Sequence, residues 1–148
     1  MKMTSVSRAT YEDVNLILKL YDMRREPRMR EARRWFVASF KVKTLADVPI
    51  LCPPGTEENA SYRQVTTYYE MVASFLTSAV LNPALYYQSG REMLVVWERM
   101  RDIIPEIRVA NQNPMEFKNL EQAAAGFIEW WAEVAPGAYE AFSKRIRG

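Results

Sequence analysis

Eight prolines cut this chain into pieces, and between them large apolar residues recur at three- and four-residue intervals. Proline lacks the backbone N–H and clashes with the preceding turn, so a helix starts at one far more easily than it runs through one. Apolar positions at i, i+3, i+4 and i+7 line one face of a helix, whereas a half-buried strand needs strict alternation. No alternating run of useful length occurs, and there is no internal repeat or low-complexity tract. The expected fold class is all-α: a single-domain helical bundle of about five to six helices, with a Pro-rich loop after the second helix.

Start and stop signals place the pieces. Thr10 with Asp13 three residues on forms a capping-box variant, opening a helix whose inner face is expected to be Val14, Ile17, Leu18 and Tyr21. Pro27 restarts the chain as a second helix, roughly 28–42, turning Met29, Ala32, Phe36 and Phe40 inwards with Trp35 on the flank. Residues 43–56 hold Pro49, Pro53, Pro54 and Gly55 around an apolar centre, and predict an irregular segment packed over the body. A third helix, about 57–81, carries Val65, Tyr68, Tyr69, Val72, Phe75, Leu76, Ala79 and Val80 in one stripe. Asn82-Pro83 opens a short turn through Tyr87. Ser89 with Glu92 then predicts a capping box for a helix burying Met93, Val96, Trp97, Met100, Ile103 and Ile104, broken by Pro105. Asn113, Pro114 and Glu116 repeat the start signal for a helix using Leu120, Ala123, Ala124, Phe127, Ile128 and Trp131. Pro136-Gly137 precedes a last helix with Tyr139, Phe142 and Ile146. The doublets Trp35-Phe36, Tyr68-Tyr69, Tyr86-Tyr87 and Trp130-Trp131 set two rings about 100° apart on a helix, which implies helices packed on two sides or a subunit covering the flank.

A chain of 148 residues with 49% hydrophobic content is sized for one compact domain, 1–148, in which 1–9 is expected to be a flexible N-terminal segment. One cysteine, Cys52, rules out an intrachain disulfide. Residues 1–10 lack the apolar run of a secretory signal. The longest uncharged stretch, 71–90, is split by Asn82-Pro83 and is not a membrane span. A cytoplasmic protein with no membrane association is expected.

Histidine is absent, which removes the commonest general base, the commonest metal ligand and every triad built on imidazole. Zinc sites of the Cys/His types and Glu-x-x-His di-iron sites cannot be assembled from one chain of this composition. The five glycines form neither a phosphate loop nor a dinucleotide fingerprint. Glu57-Glu58 and Glu129 with Glu133 are neighbouring carboxylates, read as solvated helix positions, and Cys52 sits among apolar neighbours as an inert thiol. No catalytic residue, metal site or cofactor is expected, and the reading leans away from an enzyme.

What points towards a partner is charge. Residues 19–43 carry nine basic and three acidic side chains, including Arg24, Arg25, Arg28, Arg30, Arg33 and Arg34. Residues 116–140 carry five glutamates against Lys118. The favoured reading is a non-enzymatic protein-interaction or structural module, docking to another protein or to a second copy, in which the basic segment meets that acidic surface or pairs locally through Glu26 and Glu31. The alternative is a nucleic-acid-associated protein whose six arginines neutralise phosphates. A third is a small-molecule binder with a pocket between helices lined by Tyr68, Glu70, Tyr86 and Trp97.

Several segments also resemble a known family. Arg24-Arg25-Glu26-Pro27, Glu31-Ala32-Arg33 with Trp35-Phe36, Tyr62-Arg63 through Tyr69-Glu70-Met71-Val72-Ala73-Ser74, and Phe117-Lys118-Asn119-Leu120-Glu121 are similar to a family of uncharacterised bacterial helical proteins known only as a domain of unknown function. The likeness runs from about Leu16 to Glu121. It implies a short all-α chain in a bacterial cytoplasm, and carries over no catalytic or binding residue.

Overall fold

The structure is a computed structural model that describes residues 8–148. Residues 1–7 of the expected flexible segment lie outside the described residues. Nine α-helices and a short 3-10 turn occur among the described residues, with no strand. They are α1 (Tyr11–Arg25), α2 (Pro27–Ser39), the 3-10 turn Leu45–Asp47, α3 (Val48–Leu51), α4 (Glu57–Thr77), α5 (Pro83–Tyr87), α6 (Glu92–Met100), α7 (Ile104–Ala110), α8 (Lys118–Val134) and α9 (Ala138–Arg147).

The longest helix, α4, is the central post, with α2 on one side and α8 on another. That explains the tyrosine doublet: Tyr68 and Tyr69 are both buried because α4 is covered on two faces. Around it, α6 packs on α8 and α9, and α1 packs chiefly on α2. Phe36, Phe40 and Tyr62 stack in sequence across the α2–α4 seam, with ring centroids 4.7 and 4.9 Å apart. Tyr87, Phe127, Trp130, Trp131 and Phe142 form a second aromatic chain tying α5, α8 and α9 together. Such pairs add about 0.5–1.5 kcal/mol each beyond the apolar area they bury.

The helix count exceeds five to six for identifiable reasons. The Pro-rich segment is not irregular throughout. Asp47 accepts from the backbone N–H groups of Lys43 and Thr44, and Pro49 sits in the first turn of α3, where its missing N–H costs nothing. It does lie over the body, since Val48 and Cys52 are buried. Pro105 starts α7 instead of merely ending α6, which stops at Met100. The third predicted helix closes at Thr77, not Leu81. Ala79 takes a left-handed φ of 59°, and the N–H groups of Val80 and Leu81 both donate to the Phe75 carbonyl, so Ala79 and Val80 leave the stripe and are exposed.

α1 departs most from expectation. Its capping box forms as predicted, Thr10 and Asp13 each accepting from the other's backbone. The buried face, however, is Asp13 and Leu20 with Leu16 and Ile17 packed alongside. Val14, Leu18 and Tyr21 are exposed. The helix is apolar on two sides, and the deciding factor is Asp13. Its second oxygen receives the buried Asn82 N–H at 2.9 Å, which rotates that edge of α1 into the body.

Candidate functional site

Glu92 opens α6, and its carboxylate gathers groups from three helices. Arg33 of α2 donates through Nε to Oε1 at 2.6 Å and through Nη2 to Oε2 at 2.9 Å. Tyr69 of α4 donates its hydroxyl to Oε1 at 2.7 Å, and the Arg24 guanidinium stands 3.9 Å from Oε2. Arg33 also donates to the Arg24 carbonyl at the end of α1, so one guanidinium joins α1, α2 and α6. Forked arginine–carboxylate pairs of this kind are short, directional and rigid.

Burial works against an ionised Glu92. The hydrogen bonds from Arg33 and Tyr69, with the charges of Arg33 and Arg24, outweigh it and hold the carboxyl below its ordinary range. The same contact keeps the Arg33 guanidinium protonated to higher pH. Around this group, burial pushes Tyr68 up to about 12 and raises Tyr69 and Tyr86 well above the ordinary phenol value. Tyr68 donates to the Leu20 carbonyl at 2.7 Å. These phenols stay neutral at any physiological pH, and those of Tyr68 and Tyr69 serve as hydrogen-bond donors, not bases.

The six arginines therefore divide. Arg24 and Arg33 turn inwards to Glu92, and Arg28 reaches Ser61 at 3.2 Å and Glu57 at 3.4 Å. Arg25, Arg30 and Arg34 are exposed. The carboxylates met by the inward set are Glu92 and Glu57, not the 116–140 region. There Glu121 is engaged by Arg108 and Lys118, both at 3.1 Å. Glu26 does not reach forward to Arg30 as a helix pair; it caps α2 by accepting from the Met29 N–H. An open depression of 370 Å³ beside Arg30, Arg34, Val37 and Ala38 has Arg33 and Glu92 on its wall, so a carboxylate faces any anion that enters.

The four expected pocket residues do not converge on one cavity. Tyr68 and Tyr86 both lie near Glu92. Glu70 faces the start of α8, where it accepts from the Leu120 N–H at 2.8 Å and from the Asn119 side chain at 2.9 Å. Trp97 is half-buried against the core. Tyr68 does line a groove of 530 Å³ with Met23, Met29, Gln64 and Met71, which is open and methionine-rich.

Two functional-looking acids escaped sequence reasoning. Glu92 looked like a capping-box partner of Ser89, but no such cap forms and the side chain serves Arg33 instead. Glu98, fully buried on α6, accepts from Tyr139 at 2.5 Å and Ser143 at 2.7 Å and clamps α9. The available signal was a glutamate inside the apolar stripe Met93, Val96, Trp97, Met100. Cys52 is buried as expected, and burial raises its thiol pKa. Among the described residues no group of three acidic or sulfur side chains is placed to hold a metal, and no helix is long and apolar enough to cross a membrane.

The model of a family described as a domain of unknown function, DUF4760, matches residues 9–130. The chain belongs to that family. No curated protein and no solved structure matches it. The DUF4760 match begins just before the Thr10 cap of α1 and ends inside α8, so it includes the Glu92 cluster and the Glu70 cap, and stops short of α9. The segments that carried the resemblance contain the residues that knit this frame: Arg24, Arg33, Tyr69, Glu70, Asn119 and Leu120.

Proposed function

We propose that this DUF4760 domain is a non-enzymatic protein-interaction module, a single unit whose docking face is the outer side of α1. One observation carries the reading. Tyr11, Val14, Leu18 and Tyr21 are exposed at 88%, 41%, 61% and 51%, and they follow one another at spacings of three, four and three residues. Apolar surface in water forgoes about 25 cal/mol per Å² relative to burial, and contiguous patches of it mark places of association. The polar interior supports the same reading from the other side. Glu92 and Glu98 are engaged by donors of their own chain, so neither stands ready for acid–base work.

A photoreactive amino acid at position 18, introduced in cells expressing the chain, tests this. A discrete crosslinked species is expected, with none from the same group at Val109, an exposed position on α7. No discrete product from position 18 overturns the reading.

A second reading, phosphate or nucleic-acid binding, is favoured by the exposure of Arg25, Arg30 and Arg34. It requires retention on DNA or RNA that falls steeply with salt and weakens on Arg30→Ala with Arg34→Ala.

A further inference from the structure

We propose that the pocket between the α5–α6 turn and α8 binds a small planar aromatic carboxylate. It shares no residue with the α1 face and does not depend on the reading of that face. The pocket measures 350 Å³ and is walled by Tyr87, Phe127, Trp130 and Trp131, with Arg91 as the charged residue on its wall. Apolar rings around a few polar groups are the usual build of a small-ligand site. Two of those polar groups lack partners of their own. Tyr87 is only 6% exposed, yet its hydroxyl makes no hydrogen bond to any described residue. The buried polar atoms left without a partner among the described residues are Arg24 Nε and Arg99 Nε, so the Tyr87 oxygen is not sealed in and opens onto space that Tyr87 borders. Gly126 keeps it uncovered, since a Cβ there would stand 2.7 Å from that oxygen.

Arg91 supplies the second group. It is exposed and pairs with no carboxylate among the described residues. Its guanidinium lies over the Trp131 ring, 5.3 Å from the centroid. A cation–π contact positions the charge without neutralising it, which leaves the guanidinium donors for an incoming anion. These features set the ligand class. The rings offer flat apolar faces for stacking, and the guanidinium and the phenol both donate to a carboxylate. No carboxylate lines the pocket. Glu129, whose charge is felt at Tyr87, is not on the wall and has an interaction of its own. The depression beside Arg30 and Arg34 differs in this respect, because Glu92 faces whatever enters it.

The test is a titration of the purified full chain with benzoate, read at the indole N–H signals of the four tryptophans in a nitrogen–proton correlation spectrum. Saturable shifts at Trp130 and Trp131 are expected in the millimolar range, as befits a small ligand in an open site, with Trp35 and Trp97 unmoved. Benzamide has the same shape without the charge and should bind about tenfold more weakly, the scale of one charge-assisted hydrogen bond. Arg91→Ala should weaken benzoate by a similar factor and change benzamide little. Tyr87→Phe keeps the ring and removes an oxygen that has no protein partner. It should weaken benzoate several-fold without lowering the thermal midpoint. A titration that does not saturate, or equal shifts at all four tryptophans, overturns the proposal. Benzamide binding as tightly as benzoate overturns it too, and so does inorganic phosphate moving the same signals as strongly. If Arg91→Ala perturbs folding, the comparison of benzoate with benzamide on the unmodified chain decides alone.

Discussion

Arg33 and Glu92 stand 59 residues apart in the chain and meet through two parallel hydrogen bonds of 2.6 and 2.9 Å. Both side chains are largely withdrawn from water, at 18% and 17% exposure. The pair fixes α2 against the start of α6, and its further bonds to Tyr69 and the Arg24 carbonyl draw in α4 and the end of α1. Two of the six clustered arginines, Arg24 and Arg33, are thereby turned into internal framework, while Arg25, Arg30 and Arg34 stay exposed.

Breaking that fork from one side should be costly. Removing one member of a buried pair strands the other, at about 3–5 kcal/mol when burial is complete. With residual exposure screening the charge, Glu92→Ala should lose about 2 kcal/mol in urea unfolding. Arg33→Lys should fall between this variant and the parent, because an ammonium cannot reproduce the fork. A double-mutant cycle should show clear coupling between the two positions, and additive losses would mean the fork contributes nothing.

Acid should unfold the domain through the same groups. The Asn82 N–H, opposed by burial and aided by Thr10, holds Asp13 below its ordinary value, and Arg33, Tyr69 and Arg24 do so for Glu92 against its burial. A depressed folded pKa means that the unfolded chain takes up the proton first. Each group therefore contributes stability that is complete above the ordinary carboxylate range, about 4, and is lost as pH falls through the lower folded value. Asp13→Asn and Glu92→Gln should each flatten the acid limb of a stability–pH profile.

Glu70 supplies from α4 the cap that α8 lacks locally. Phe117, at the N-cap position, is left-handed with φ 55° and offers no side-chain acceptor. Glu70→Ala should cost about 1–2 kcal/mol, the scale of a lost N-cap. Amide exchange should rise first at Asn119 and Leu120.

Two glycines should respond differently to alanine. A Cβ at Gly90 would overlap the ring of Tyr86, which is itself buried, so the clash cannot be relieved by a small rotation. Overpacking of this kind costs about 1–3 kcal/mol or more. At Gly126 the obstacle is the Tyr87 hydroxyl at 2.7 Å, the far end of its side chain. Gly90→Ala should lower the thermal midpoint by several degrees more than Gly126→Ala; equal effects would contradict this packing.

The fold class could be read from the chain because helical period and proline punctuation are local. Met29, Ala32, Phe36 and Phe40 are buried as their spacing requires, and so are Leu120, Ala123, Ala124 and Phe127. The Tyr68-Tyr69 doublet called for cover on two sides but left open whether the chain or a second subunit supplies it; both rings are buried within the chain. Helix ends were less legible, since the exit of α4 through left-handed Ala79 has no glycine to mark it. The polar framework was less legible still. Arg33, Tyr69 and Glu92 sit on three helices, and nothing in the local pattern of any one reveals the other two.

Composition and periodicity by themselves determined that these residues would be helical, that imidazole chemistry was excluded, and that basic charge would gather at the junction of the first two helices. Tertiary structure alone decided which face of α1 points inwards, which arginines meet carboxylates, and where the exposed apolar stripe lies. The reason is physical. Hydrogen-bonded turns and apolar spacing act over a few residues, whereas a helix with two apolar sides is oriented only by what it meets, here the backbone N–H of Asn82 waiting for Asp13.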